Sequence, residues 1–144
     1  MNTKTKILVI DDEEVVRRSF MRALGGEHCE VELADSGKLG LSALNREAFD
    51  VVLLDLKMPE MDGVEVLGAI KQRWPHTEVI VITGYPAIDT AKQAISLGAY
   101  DYLSKPLGPD EVVAAANKAM QHKGWALRSD AANGFHSLGT RSAS

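Results

Sequence analysis

The chain has one cysteine, Cys29, among 144 residues, so an internal disulfide is excluded. The fold must therefore rest on an apolar core, and the chain is long enough to build one as a single domain. Cys29 itself reads as a small buried strand residue, not a redox centre. Histidine is sparse as well: His28, His76, His122 and His136 are scattered and suggest no metal site. No apolar run approaches the roughly 20 residues that a membrane-spanning helix needs. After the basic start, only Ile7 to Ile10 is apolar before Asp11-Asp12-Glu13-Glu14, too little for a signal-peptide core. A cytoplasmic location without membrane contact is expected. Basic clusters are missing too. The 16 lysines and arginines are outnumbered by 20 acidic residues, giving a formal charge of −4, so direct binding to nucleic acid is not expected. Internal repeats and low-complexity segments are absent. What is present, 45% hydrophobic and 25% charged residues, is ordinary for a globular protein.

The chain is organised around Val51-Val52-Leu53-Leu54-Asp55. Four β-prone apolar residues in a row read as a strand buried on both faces, as in a parallel sheet. Asp55 stands where that strand leaves the sheet, and open α/β sheets bind ligands at the carboxyl ends of their strands. Met58-Pro59 and Asp62-Gly63 are turn signals. Pro59 restricts the residue before it to extended conformations, and Asp62 can cap a helix beginning near Gly63.

The same alternation runs through the rest of the chain. Ile7 to Ile10 forms a first buried strand, followed by a helix with Val16, Phe20, Ala23 and Leu24 at helical spacing, stopped by Gly25-Gly26. Cys29 to Leu33 alternates and reads as an edge strand with one wet face. A second helix turns Leu41 and Leu44 inward. The third, with Val64, Leu67 and Ile70, ends before Pro75. Val79 to Ile82 is a fourth strand. Ile88, Ala91 and Ile95 define a fourth helix, closed by Gly98. Tyr100 to Leu103 is a short fifth strand, and a last helix marked by Val112, Val113, Ala116, Ala119 and Met120 ends near Gly124. This order implies an α/β domain, a parallel sheet covered by helices on both faces with right-handed crossovers. Residues 1–124 form the domain. Residues 125–144, rich in Ala, Ser and Gly, read as a flexible tail, in which Trp125 either packs back on the domain or marks a contact surface.

The strand ends carry the chemistry. The first delivers Asp11 and Asp12, the third Asp55, the fourth Thr83 and the fifth Lys105. Neighbouring first and third strands bring three carboxylates to one crevice, where a single ammonium cannot balance them. A hard divalent cation with oxygen ligands, Mg²⁺ above all, would do so. A carboxylate beside Mg²⁺ can accept a phosphoryl group as an acyl phosphate, and Lys105 and the Thr83 hydroxyl suit its oxygens. Taken singly, each residue could equally cap a helix, turn a loop or sit in solvent.

Together, Asp11-Asp12-Glu13, the run Leu54 to Gly63, Ile82-Thr83-Gly84 and the run Asp101 to Pro106 resemble the receiver domain of two-component response regulators, over about residues 5 to 122. Thr83-Gly84-Tyr85-Pro86 with Leu97 to Tyr102 is similar to receivers of enhancer-binding transcription activators. The resemblance implies a flavodoxin-like, doubly wound sheet of five parallel strands in the order 2-1-3-4-5. It implies Asp55 as phosphoacceptor in a phosphorelay, fed by a sensor histidine kinase or phosphotransfer protein. Asp12, Asp55 and the main-chain carbonyl of Lys57 would hold Mg²⁺, with Asp11 acting through water. Lys105 would pair with the phosphoryl oxygens, and small Gly84 would leave the acceptor open to the donor. Thr83 and Tyr102 would form a switch pair acting on the surface of the fourth helix, fifth strand and fifth helix, where a target protein or a second copy docks; the Ala114-Ala115-Ala116 run permits close helix approach. The Lys105-Pro106 bond is expected to be cis. Lys57 and Tyr85 flank the line of water attack and carry no group to orient water, so a long-lived phosphorylated state is expected. Two alternatives are an aspartyl-nucleophile, Mg²⁺-dependent phosphatase, disfavoured because Lys57 stands where the acid/base Asp would be, and a non-phosphorylated interaction module, disfavoured by the intact acidic cluster. Flavin binding is disfavoured by the acidic loop after the first strand.

Overall fold

The computed structural model describes residues 4–136, with side chains to Trp125 and at Leu127. The elements in order are β1 (Thr5–Ile10), α1 (Glu14–Leu24), β2 (Cys29–Ala34), α2 (Gly37–Arg46), β3 (Val51–Leu54), α3 (Gly63–Arg73), β4 (Glu78–Thr83), α4 (Ile88–Ser96), β5 (Asp101–Ser104) and α5 (Pro109–His136). The sheet has five parallel strands in the order β2-β1-β3-β4-β5. Both sequence expectations, the doubly wound fold and the strand order, hold. No helix among the described residues is long and apolar enough to cross a membrane.

The period-2 alternation of a strand sends neighbouring residues to opposite faces, and here both faces are apolar. Leu8, Ile10, Val52, Leu54, Val79 and Val81 pack against Ala43 and Leu44 of α2, Val66, Leu67 and Ile70 of α3, and Ala94 of α4. Ile7, Val9, Val51, Leu53, Ile80 and Ile82 pack against Phe20 and Leu24 of α1 and Val112, Ala115, Ala116 and Ala119 of α5. Each large side chain buried this way contributes about 1.5–3 kcal/mol, which is why the runs Ile7 to Ile10, Val51 to Leu54 and Val79 to Ile82 can be apolar without a break. In β2, Glu30 is exposed while Val31 and Leu33 pack on the core, as befits an edge strand. Cys29 is half-buried there, less enclosed than its sequence context suggests.

Two helices depart from expectation. Ile88 and Ile95 of α4 are 75% and 50% exposed, and the residue that reaches the core is Ala94, with Ala91 half-buried. The pattern of large residues picked the outer face; the small ones let α4 lie close to the sheet. The last helix does not end near Gly124 but runs through it to His136. A glycine stops a helix by leaving the helical conformation, as Gly98 does with φ 108° after α4 and Gly25 with an extended backbone after α1. Gly124 does not, and a glycine inside a helix costs only about 1 kcal/mol. The boundary drawn at 124 therefore falls within α5; residues 137–144 of the expected tail lie outside the described residues. Trp125 is 60% exposed, with its ring 6.1 Å from that of His122. The His122 Nδ1 meets the buried Glu78 carboxylate at 2.6 Å, pinning α5 to the start of β4.

Gly63 opens α3 where the chain doubles back on β3. A Cβ there would lie 2.4 Å from the Leu56 Cα and 2.9 Å from the Asp55 carbonyl oxygen, both backbone atoms that cannot move aside. Gly63→Ala should destabilise the fold by about 1–3 kcal/mol. Gly68→Ala, on the same helix with open space around it, should stabilise by roughly 0.5–1 kcal/mol. Urea unfolding of the two variants checks both signs.

Candidate functional site at the carboxyl edge of the sheet

The site begins with register. Ile10 pairs with Leu54, so β1 and β3 end level with each other. Asp55 N–H donates to the Ile10 carbonyl at 3.0 Å, and Asp11 N–H to the Ala34 carbonyl at 3.1 Å. Asp11 and Asp55, 2% and 4% exposed, thus stand side by side at the sheet edge. Asp12 follows on the exposed side. One carboxylate oxygen from each of Asp11, Asp12 and Asp55 lies within 4.8 Å of the others. The loops hold them there. Asp11 Oδ1 accepts from the Glu13 N–H at 2.9 Å, and Asp55 Oδ1 from the Lys57 N–H at 3.0 Å. Asp62 caps α3 through the Val64 N–H, as its place before Gly63 suggested.

Lys105 enters from β5. Its N–H donates to the Thr83 carbonyl at 2.8 Å, the Lys105-Pro106 bond is cis as expected, and the side chain crosses the crevice. Its Nζ lies 2.8 Å from Asp11 Oδ2, 3.1 Å from Glu13 Oε1 and 3.2 Å from Asp55 Oδ2. Glu13 is a partner to which sequence reasoning gave no role. The only signal was its place as third acid of an acidic run. Around this cluster a cavity of about 470 Å³ is lined by Asp12, Glu13, Asp55, Lys57, Gly84, Tyr85 and Lys105. A neighbouring cavity of about 520 Å³ shares only Asp12 with it and is walled by Met58 and Met61.

Thr83 is buried at the end of β4, and its Oγ1 accepts from the Tyr85 N–H at 3.1 Å. Tyr85 is 72% exposed, and the Lys57 Nζ lies 5.8 Å from its ring centroid, so these two side chains meet over the mouth of the cavity. The Tyr102 ring is half-buried, with its hydroxyl bound at the start of α4. All the site residues expected from sequence except Tyr102 are at this edge. Asp11, Asp12, Asp55, Lys57 and Lys105 meet directly, whereas Tyr102 lies one step away, beyond the loop that follows Thr83.

The electrostatics are unbalanced. Burial pushes the Asp11 carboxyl up, against the hydrogen bond from Lys105. Burial, then the charge of Asp11, pushes Asp55 up, against the Lys57 N–H and Lys105. Burial works to lower Lys105, but Asp11, Glu13 and Asp55 outweigh it and hold the ammonium well above the usual lysine range. A carboxyl raised in the folded state binds its proton more tightly there than in the unfolded chain. Its charge therefore costs stability, increasingly so as pH rises from the ordinary carboxyl range through the folded value. Asp55→Asn removes one of the crowded charges and can keep the Lys57 N–H as a partner. In chelator at neutral pH it should melt roughly 2–4 °C above the native chain, and added Mg²⁺ should narrow the gap. Scanning fluorimetry checks both.

The match to known proteins bears on the same edge. The model of the response regulator receiver domain matches residues 7–117. The DNA-binding transcriptional regulator NtrC of Klebsiella pneumoniae is 40% identical over 114 residues, covering 79% of this chain and 24% of that protein. The alginate biosynthesis transcriptional regulatory protein AlgB of Pseudomonas putida is 36% identical over 129 residues, covering 90% of this chain and 29% of that protein. The chain thus spans about a quarter of these relatives. Among solved structures, a CheY-like receiver domain protein from Methanospirillum hungatei superposes with a TM-score of 0.82 at 28% identity, covering 85% of this chain and 98% of that one. NtrX from Brucella abortus gives 0.81 at 32% identity, covering 91% of this chain and 30% of that one. Residues 7–117, which hold the three clustered aspartates, Thr83 and Lys105, make this chain a member of the receiver domain family of response regulators.

Proposed function

We propose that Asp55 accepts a phosphoryl group from a sensor histidine kinase or a phosphotransfer protein, and that the chain works in the cytoplasm as a phosphorylation-controlled switch. The observation that carries this is the crevice itself: Asp55 lies at its floor, with Lys105 and a surplus of carboxylates converging on it. In the transfer, one Asp55 oxygen attacks phosphorus, the bond from phosphorus to the donor imidazole breaks, and the imidazole nitrogen keeps the electron pair and then takes a proton. The donor set fits Mg²⁺, being three hard carboxylates with one ammonium between them. Asp12, Asp55 and the Lys57 carbonyl would hold the ion and Asp11 would act through water. When bound, Mg²⁺ neutralises charge on the transferring oxygens. Lys105 neutralises the rest, moving from the carboxylates to the phosphoryl oxygens, and the Thr83 hydroxyl donates to the same group.

As Thr83 turns toward the phosphoryl group, space opens for the Tyr102 ring. The α4–β5–α5 surface is then biased between two states. It is this surface that binds a target protein or a second copy. Residues 1–124 are the receiver unit. The chain catalyses only its own phosphorylation and dephosphorylation. A phosphatase with an aspartyl nucleophile is disfavoured because Lys57, two residues after Asp55, cannot act as the acid/base carboxylate of that chemistry.

Incubation with acetyl phosphate and Mg²⁺, followed by intact-mass measurement and peptide mapping, should show one hydroxylamine-labile phosphoryl group on Asp55 and none in Asp55→Asn. Stoichiometric labelling of Asp55→Asn elsewhere would overturn the assignment. The Lys57–Tyr85 contact over the crevice mouth supports a slow loss of the phosphoryl group, since neither side chain orients water for in-line attack. First-order decay should be faster in Lys57→Asn combined with Tyr85→Glu; an unchanged or slower rate would remove these residues from control of the lifetime.

A further inference from the structure

The start of α4 is held by an unusual cap. Its N-cap is Ala87, which has no side-chain acceptor, and no bond from its own side chain closes the first turn. By contrast, Ser36 and Asp62 cap α2 and α3 with their own oxygens. At α4 the cap comes from another element. The Tyr102 hydroxyl, on β5, accepts the Ala87 N–H at 3.3 Å and lies 3.0 Å from Thr90 Oγ1. The Thr90 hydroxyl donates to the Ala87 carbonyl at 3.1 Å.

The protons can be assigned. Thr90 has one hydroxyl proton, and it goes to the Ala87 carbonyl. The Tyr102 hydroxyl must therefore donate to Thr90 Oγ1 while its oxygen accepts from Ala87. The result is a closed ring: Ala87 N–H to Tyr102, Tyr102 O–H to Thr90, Thr90 O–H back to the Ala87 carbonyl. Each hydroxyl donates once and accepts once, so removing either one leaves the others short of a partner, and such chains strengthen one another. The loop Gly84 to Ala87 is thus tied at both ends by hydroxyls: Tyr85 N–H on Thr83 and Ala87 N–H on Tyr102.

We propose that Thr90 is the catch of the switch: it holds the half-buried Tyr102 ring with its hydroxyl against the start of α4, and release of Tyr102 uncaps the first turn of α4. The inference rests on the switch reading given above and adds to it the residue that sets the resting bias. Because α4 buries only Ala94 fully and exposes Ile88 and Ile95, its first turn has little apolar packing to replace a lost cap, and it belongs to the part of the fold that opens most readily.

The test uses the unphosphorylated chain, so it does not depend on any phosphoryl donor. Thr90→Val keeps the shape and removes the hydroxyl; Thr90→Ser keeps the hydroxyl. In Thr90→Val, exchange of the Ala87 amide hydrogen should quicken about two- to tenfold, the range for loss of one net hydrogen bond. The Tyr102 ring resonances should move toward those of the beryllofluoride-treated native chain. Thr90→Ser should behave as the native protein. Tyr102→Phe should quicken exchange similarly, and adding Thr90→Val to it should have little further effect, since both break one ring. Native exchange and native ring shifts in Thr90→Val would overturn the catch. If Thr90→Val quickens exchange of the Ala87 amide but beryllofluoride leaves the native Tyr102 ring unmoved, the ring of hydrogen bonds stands and the switch reading above falls.

Discussion

One ammonium among three carboxylates is the interaction on which the rest of this structure turns. Lys105 touches Asp11, Glu13 and Asp55 at 2.8–3.2 Å, at an edge where Asp11 and Asp55 are almost wholly buried. At an effective dielectric near 20, two unit charges 4 Å apart interact by about 4 kcal/mol. Without a counter-charge, such neighbours would not remain ionised together. Burial above all, and neighbouring negative charge after it, raises Asp11 and Asp55 above their ordinary range, and Lys105 offsets only part of this. An edge built this way favours additional cation and rewards any chemistry that spreads negative charge over oxygens held by Lys105. The apolar strands behind it make the arrangement possible, because their level ends and fully buried side chains leave the carboxylates no route of retreat.

From that edge, the path to the surface is short and polar. Thr83 holds Tyr85 by one backbone N–H, and Tyr102 holds Ala87 by another. Between them lies a loop whose residues are exposed and which has no core side chain of its own. The helix that follows is the least enclosed of those on its face of the sheet, with a single fully buried residue. The fold therefore places its most fully buried strands, β1, β3 and β4, under the acidic cluster, and the least enclosed helix of that face next to the Tyr102 and Thr90 hydroxyls.

The sequence revealed the parts that depend on simple regularities. Apolar runs of four marked the buried strands, and the residues just after them marked the site, because a parallel sheet delivers all its strand ends to one edge. Asp62 as a cap and Gly98 as a helix end were legible for the same reason, since each follows from the conformational preference of one residue. The inward face of α4 was not, because large apolar residues at helical spacing point to Ile88 and Ile95, while close approach to the sheet favoured Ala94. The length of α5 was missed because a glycine ends a helix only when its backbone leaves the helical conformation, which composition does not reveal. Glu13 and Thr90 escaped notice because their roles come from tertiary contacts, with Lys105 far along the chain and with Tyr102 on another strand.

The central claim is that the carboxyl edge carries unbalanced negative charge that a divalent cation relieves at Asp55. It can be read directly from a carbon-detected NMR titration of the Asp55 carboxyl in chelator and in saturating Mg²⁺. The account predicts a midpoint above the ordinary aspartate range without the ion and a marked fall when it is added, with Asp55 responding more than a surface carboxylate such as Asp89. A midpoint in the ordinary range that Mg²⁺ leaves in place would contradict it.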